Sequence, residues 1–117
     1  MNYTKKELIE NVARNVKKAE IFYEAANAAV TGTELSKLNL IQATSKISYA
    51  LMYLNTLHKD EYEEEFFNAF EIEKNLKEMP AKDIDYYNCK EVREALTVLN
   101  CIVKYNANYF KDEEGYL

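Results

Sequence analysis

The first thirty residues place one apolar side chain on every helical turn, and this spacing constrains the fold more than any other feature of the chain. Ile9, Val12, Val16, Ala19, Tyr23, Ala26 and Val30 recur at alternating intervals of three and four. That interval holds them on one face of an α-helix, and the face must be buried against other helices. Two glycines and one proline are all that can break such a pattern in 117 residues. The chain is therefore expected to be helical almost throughout.

The break points divide it into four segments. Thr4 and Glu7 have the spacing of a capping box, in which each side chain satisfies the other's backbone N–H. The first helix is read as residues 5–30, ending at Thr31-Gly32, where glycine can adopt the left-handed C′ conformation. Thr31 or Thr33 can cap a second helix over 34–58, with Leu40, Thr44, Ile47, Leu51, Leu54 and Leu57 facing inward. Lys59-Asp60 breaks the chain again, and Asp60 is expected to cap a third helix over 60–79. Its stripe is Tyr62, Phe66, Ala69, Ile72, Leu76 and Met79, thickened by Phe67 and Phe70. Pro80 ends this helix, since the residue before proline avoids the α region. Asn88 with Glu91 reads as the cap of a fourth helix over 89–110, carrying Val92, Leu96, Leu99, Val103, Asn106 and Phe110. The acidic tail, residues 112–117, is expected to fray. Four helices joined by short links must run antiparallel to their neighbours, so the expected fold is all-α. It is a single-domain, four-helix up-and-down antiparallel bundle over residues 1–117.

Chemistry is conspicuous by what the residue inventory rules out. Gly32 and Gly115 cannot build a phosphate-cradling glycine loop, which removes P-loop and Rossmann readings. A di-iron bundle needs two Glu-x-x-His motifs, and the one histidine, His58, has Asn55 three residues before it. Two cysteines and one histidine are too few for structural zinc. Cys89 and Cys101 lie on one predicted helix about 18 Å apart, beyond disulfide reach. Cys89 reads as a half-buried thiol and His58 as a residue engaging the last carbonyls of its helix. No catalytic residue, metal site or cofactor is expected. With no long apolar run and no signal-peptide core, the protein is expected to be cytoplasmic, with reduced cysteines and no membrane contact. Thirteen Lys against two Arg, with twelve Asn and ten Tyr, is the bias of an AT-rich gene, as in a low-GC bacterium or its mobile elements.

Charge distribution supplies the functional expectation. Residues 59–85 hold four lysines and ten acids, a net of −6, while the rest of the chain sums to +1, giving −5 in total. Asp60, Glu61, Glu63, Glu64 and Glu65 cluster at the start of the third helix. Glu64, Glu71 and Glu78 recur every seven residues, with Asp83, Asp85, Tyr62, Tyr86 and Tyr87 close by in sequence. Acids in a first turn complement the helix dipole, and charge runs commonly form a solvated face. Five acids in six residues exceed what a cap requires, and their repulsion costs stability. These residues are therefore expected to dock a basic partner protein, with the one-sign field steering association. The expectation is a small non-enzymatic binding protein, most concretely a phage- or plasmid-type inhibitor of the anti-CRISPR or anti-restriction class. It would occupy the basic nucleic-acid-binding surface of a nucleic-acid-processing enzyme. Direct binding to nucleic acid is not expected, because the lysines of the first helix are interleaved with Glu7, Glu10, Glu20 and Glu24. The alternative is a homo-oligomer, a homodimer in its simplest form, assembled through helix 34–58. Between Leu35 and Leu57 its only charges are Lys37 and Lys46, and Tyr49, Met52 and Tyr53 would line the interface. A weaker third reading is a small-ligand pocket lined by Tyr and Phe between helices.

Overall fold

The computed structural model describes residues 3–106, which form four α-helices and one short 3₁₀ turn. Helix α1 spans Lys5–Ala28 and opens with the expected capping box. Thr4 N donates to Glu7 Oε1 (3.0 Å), and Glu7 N donates to Thr4 Oγ1 (3.1 Å). The helix ends two residues before the predicted boundary, with Ala29 already extended. Val30 is consequently exposed and leaves the apolar stripe. Gly32 is left-handed, with φ of 87°, but it works inside the loop and not as the C′ residue of α1. Its α-carbon faces Ala81 and Lys82, so the first loop seats against the turn that follows the third helix.

Helix α2, Glu34–His58, is capped by Thr33, whose Oγ1 accepts from Ser36 N at 3.3 Å and donates to Val30 O at 2.7 Å. It packs against all three other helices, most extensively against α1. Small residues explain the closeness of that pair. Ser36 Oγ donates to Ala26 O across the hairpin (3.3 Å), which fixes the register. Counting sevens in both directions sets Ala19 opposite Ala43 and Val12 opposite Ala50, and all four are sealed from solvent. Alanine at these layers lets the two backbones approach without a gap to fill. The hydroxyls of Thr44 and Ser48, buried in the same helix, are satisfied by Leu40 O (2.8 Å) and Thr44 O (3.2 Å).

The α2–α3 turn departs from the sequence reading. Lys59 and Asp60 are both left-handed, at φ of 53° and 65°, and Asp60 does not cap the helix. Helix α3 is Glu63–Glu78 with Tyr62 as its N-cap, and Tyr62 lends it no side-chain bond. The acceptor comes from the preceding helix. Buried Asn55 Oδ1 takes the Tyr62 N–H at 2.7 Å, while Asn55 O accepts from Asp60 N at 2.9 Å. One asparagine thus ties both ends of the turn together. At the far end of α3, Lys37 Nζ reaches from α2 to Met79 O (2.6 Å), placing a cation on the negative end of the helix dipole.

Pro80 ends α3 as expected, and a 3₁₀ turn, Ala81–Asp83, plugs that end of the bundle with buried Ala81 and Ile84. Helix α4, Tyr86–Tyr105, starts before the predicted 89 because Asp85, and not Asn88, is its cap. Asp85 Oδ1 accepts from the amides of Tyr87 (3.0 Å) and Asn88 (3.3 Å), and Asn88 Oδ1 returns the bond from Asp85 N (2.9 Å). The four helices form an all-α bundle, a rod of 45 × 24 × 23 Å. Its core includes Ile9, Leu40, Ile47, Leu54, Leu76, Val92 and Leu99. Phe67 and Phe70, expected to thicken the core, are instead exposed, because α3 turns its Phe66–Ala69–Ile72–Leu76 edge inward. The predicted extension of the fourth helix to 110, Phe110 and the tail 112–117 lie outside the described residues. None of the described helices is long and apolar enough to cross a membrane.

Candidate protein-binding surface

Helix α3 separates its charges by side. Glu64, Glu71 and Glu78 are exposed along one line, with the exposed amides Asn68 and Asn75 between them. The lysines lie around the helix from that line, towards Phe70, where Lys77 Nζ closes an ion pair with Glu73 at 2.9 Å. Glu78 shares that end of the helix with Lys74 and Lys77, while Glu64 at the other end has no lysine of α3 within a turn of it.

Tertiary packing adds to the acidic line. Helix α4 runs antiparallel to α3, and its Glu91 and Glu94 line one groove together with Glu64 and Glu65. Asn68 shares the rim, and the floor is apolar: Leu51, Ile72, Ala95 and Val98. No Lys or Arg lines this groove. The groove between α1 and α4 is different in kind. There Glu20 and Glu24 face Arg93 and Lys104, Asn100 Nδ2 donates to Glu20 Oε1 (3.1 Å), and the Arg93 guanidinium lies 5.6 Å from the Tyr23 ring centre. That surface compensates its own charge, whereas the α3–α4 groove does not.

Sequence spacing does not reach Glu91 and Glu94 as surface residues, because it pairs Glu91 with Asn88 in a capping box. Asp85 and Asn88 complete that box between themselves, which releases Glu91 to the groove. The signal was present as a Glu-x-x-Glu spacing on α4, and it becomes legible only once the α3–α4 pairing is known.

The other sequence-predicted residues fall into three groups. Glu61, Glu63 and Asp83 are exposed, as are Tyr86 and Tyr87, whose rings meet edge-on at 6.2 Å at the start of α4. Asp85 is exposed too, but its carboxylate is committed to two backbone amides. Tyr62 does not belong to the surface at all. It is buried, its Oη accepts from Asn106 Nδ2 (3.1 Å), and His58 stands edge-on to its ring at 5.9 Å. Asn106, placed inward by periodicity, sits at the helix end, where its amide also donates to Ile102 O (2.9 Å). On α1, Arg14 donates to Asn11 Oδ1 (2.9 Å).

On α2, Tyr49 and Met52 are exposed as the oligomer reading requires, but Tyr53 packs against the core and under the edge of Tyr3 (5.6 Å). Burial, reinforced by the Tyr3 hydroxyl, raises the Tyr53 phenol above its ordinary range. Cys89 is half-buried against the core, and burial, with the Asp85 carboxylate adding to it, raises its thiol as well. A thiol held protonated is a poor nucleophile.

Comparison of the chain with protein-family models, with curated proteins and with solved structures finds no match in any of the three.

Proposed function

We propose that this protein is a non-enzymatic binding protein that docks the acidic α3–α4 groove on a basic surface of another protein. The observation that carries this reading is the groove itself: Glu64, Glu65, Glu91 and Glu94 around an apolar floor, with no cation among the lining residues. The two helices fix the backbone positions from which these carboxylates project, so the ordering cost of admitting a cationic segment falls on the side chains alone. Arginine suits such a rim, since its guanidinium meets carboxylates in a bidentate geometry and its plane rests on apolar surface. The acidic line continues along α3 through Glu71 and Glu78, about 21 Å of helix in all, and the exposed Tyr86–Tyr87 pair offers aromatic contact area beyond it.

The finest form of the reading is an inhibitor of the kind mobile elements carry against nucleic-acid-processing enzymes, anti-CRISPR or anti-restriction in class. Surfaces that bind phosphate backbones are basic and salt-sensitive, and an acidic helical protein competes for them on the same electrostatic terms. The test is affinity capture from a nuclease-treated bacterial lysate on immobilised wild type and on the Glu64→Lys/Glu91→Lys/Glu94→Lys variant. Wild type is expected to retain a basic nucleic-acid-processing protein that is released by added duplex DNA and by salt, and the variant to retain none. Equal capture by the variant would sink the proposal.

A further inference from the structure

The α3–α4 groove carries its acids on opposite walls, toward opposite ends. Tyr62 Oη accepts from Asn106 Nδ2 (3.1 Å), so the start of α3 lies beside the end of α4. Counting inward from that contact along two antiparallel helices sets Glu64 and Glu65 at the Val98 end of the groove. Glu91 falls at the Ile72 end, with Glu94 one turn in from it. The groove runs from Glu64 to Ile72, about 12 Å of helix. Ala95 lies between the ends, and so does Leu51, which belongs to α2. A side chain of the helix beneath thus lines the groove, so α3 and α4 stand apart along this stretch and leave a seam open.

Two properties of this seam select a helix as the segment that fills it. Hydrogen bonding is the first. Residues 68–72 and 91–98 lie inside regular helix, so their backbone groups are bonded within α3 and α4. These walls have no main-chain donor or acceptor to offer an incoming chain. An extended segment laid on Leu51, Ile72, Ala95 and Val98 would press its own N–H and C=O groups against apolar side chains, where an unpaired polar group is costly. A helix arrives with those groups already paired, and its side-chain ridges seat between two helices as they do inside a bundle. The spacing of charge is the second. Cations seven residues apart on a helix lie two turns, about 10 Å, apart on one face, close to the separation of the acidic ends. Apolar residues three and four positions after the first cation then fall between the ends, over the floor.

On the reading that this groove docks a basic partner, which the following rests on, we infer that the docked element is a basic amphipathic helix. Its arginines or lysines, seven residues apart, meet Glu64 and Glu65 at one end and Glu91 and Glu94 at the other. Its apolar side chains cover Ala95 and Val98 between them. Of the floor residues Val98 is the most open, at 44% exposure, and it is the one that such a helix newly buries. Helix-in-groove recognition commonly uses anchors at i, i+3, i+4 and i+7, and here the outer two are charges.

Two fluorescein-labelled synthetic peptides of about 16 residues test this by fluorescence anisotropy with the full chain at low salt. One carries two arginines seven residues apart, with two leucines between them, in an alanine- and glutamine-rich sequence. The other has proline in place of a central alanine, which breaks a helix and leaves the charge unchanged. The first peptide is expected to bind roughly tenfold more tightly than the second and to gain helical circular dichroism on binding. Glu64→Lys/Glu91→Lys is expected to abolish its binding, and Val98→Ser to weaken it a few-fold. Both variants should keep the far-UV spectrum of the wild type, since all three side chains are exposed. Equal affinity for the two peptides overturns the helix while leaving the groove as a docking site for basic segments. Binding of neither, or binding that survives Glu64→Lys/Glu91→Lys, also overturns it, and the docking role is then decided separately by the lysate capture.

Discussion

At the scale of single residues, the same atoms recur in unlike roles because burial decides which role is open to them. Asp85 and Glu64 are both acids in the acidic stretch, yet Asp85 spends its carboxylate on the amides of α4, and Glu64 turns its own to a groove. Cys89, four residues after Asp85, feels both effects: burial first and the carboxylate second, each raising its thiol. The pH consequence has a definite sign. A thiol raised in the folded state stays protonated while the unfolded chain's thiol ionises, so this group's contribution to stability declines as pH rises through the ordinary thiol range. Asp85→Asn keeps the capping geometry but removes the charge, and it is expected to speed alkylation of Cys89 by iodoacetamide at pH 8. Mass-spectrometric rates for Cys89 against exposed Cys101 in the same sample provide the measurement; an unchanged ratio would exclude the carboxylate as a cause.

At the scale of elements, the turns hold more information than the helices. Asn55 is a helical residue by position and a capping residue by function. Its side chain accepts the Tyr62 N–H and its carbonyl accepts from Asp60, across two consecutive left-handed residues. Such residues adopt that conformation at a cost unless they are glycine, so the asparagine bonds are what hold Lys59 and Asp60 in place. Asn55→Ala leaves a buried donor without its acceptor and is expected to destabilise the protein by about 1–3 kcal/mol. Chemical denaturation would show this as a lower midpoint at an unchanged slope. The loss should also quench the register of α3, so the Tyr62 amide should lose hydrogen-exchange protection before the amides of α1 do.

At the scale of the whole molecule, the bundle is electrically two-sided. One groove neutralises itself with Arg93 and Lys104, and another gathers four carboxylates with no lysine or arginine among its lining residues. Gathering like charges works against folding, so neutralising them should stabilise the protein. Glu64→Gln/Glu91→Gln/Glu94→Gln is expected to gain a few tenths of a kcal/mol at low salt, roughly the size of the one i,i+3 like-charge pair, Glu91–Glu94, that it relieves. Thermal denaturation at low and high ionic strength is the check: the gain should shrink as screening shortens the reach of the charges. A groove kept acidic at the expense of stability is what a binding surface would show, following the general trade between function and stability.

Periodicity and punctuation in the sequence were enough to determine four helices, the Thr4–Glu7 cap, the stop at Pro80 and the main core stripe of each helix, because each is a local matter of three- and four-residue spacing or of one capping side chain; the second cap stayed open between Thr31 and Thr33, and buried Leu8, Ile84, Ala95 and Ile102 fell outside the stripes. Tertiary structure alone decided the rest, and it did so wherever two distant segments share one satisfied group. Asn55 replaced Asp60 at the start of α3, Tyr62 left the surface for a bond with Asn106, and Phe67 and Phe70 left the core for solvent. The acidic helix was visible as a run of glutamates, but the groove was not. Glu91 and Glu94 become its second wall only when α4 lies antiparallel to α3, and no spacing within either helix encodes which sides of the two will meet.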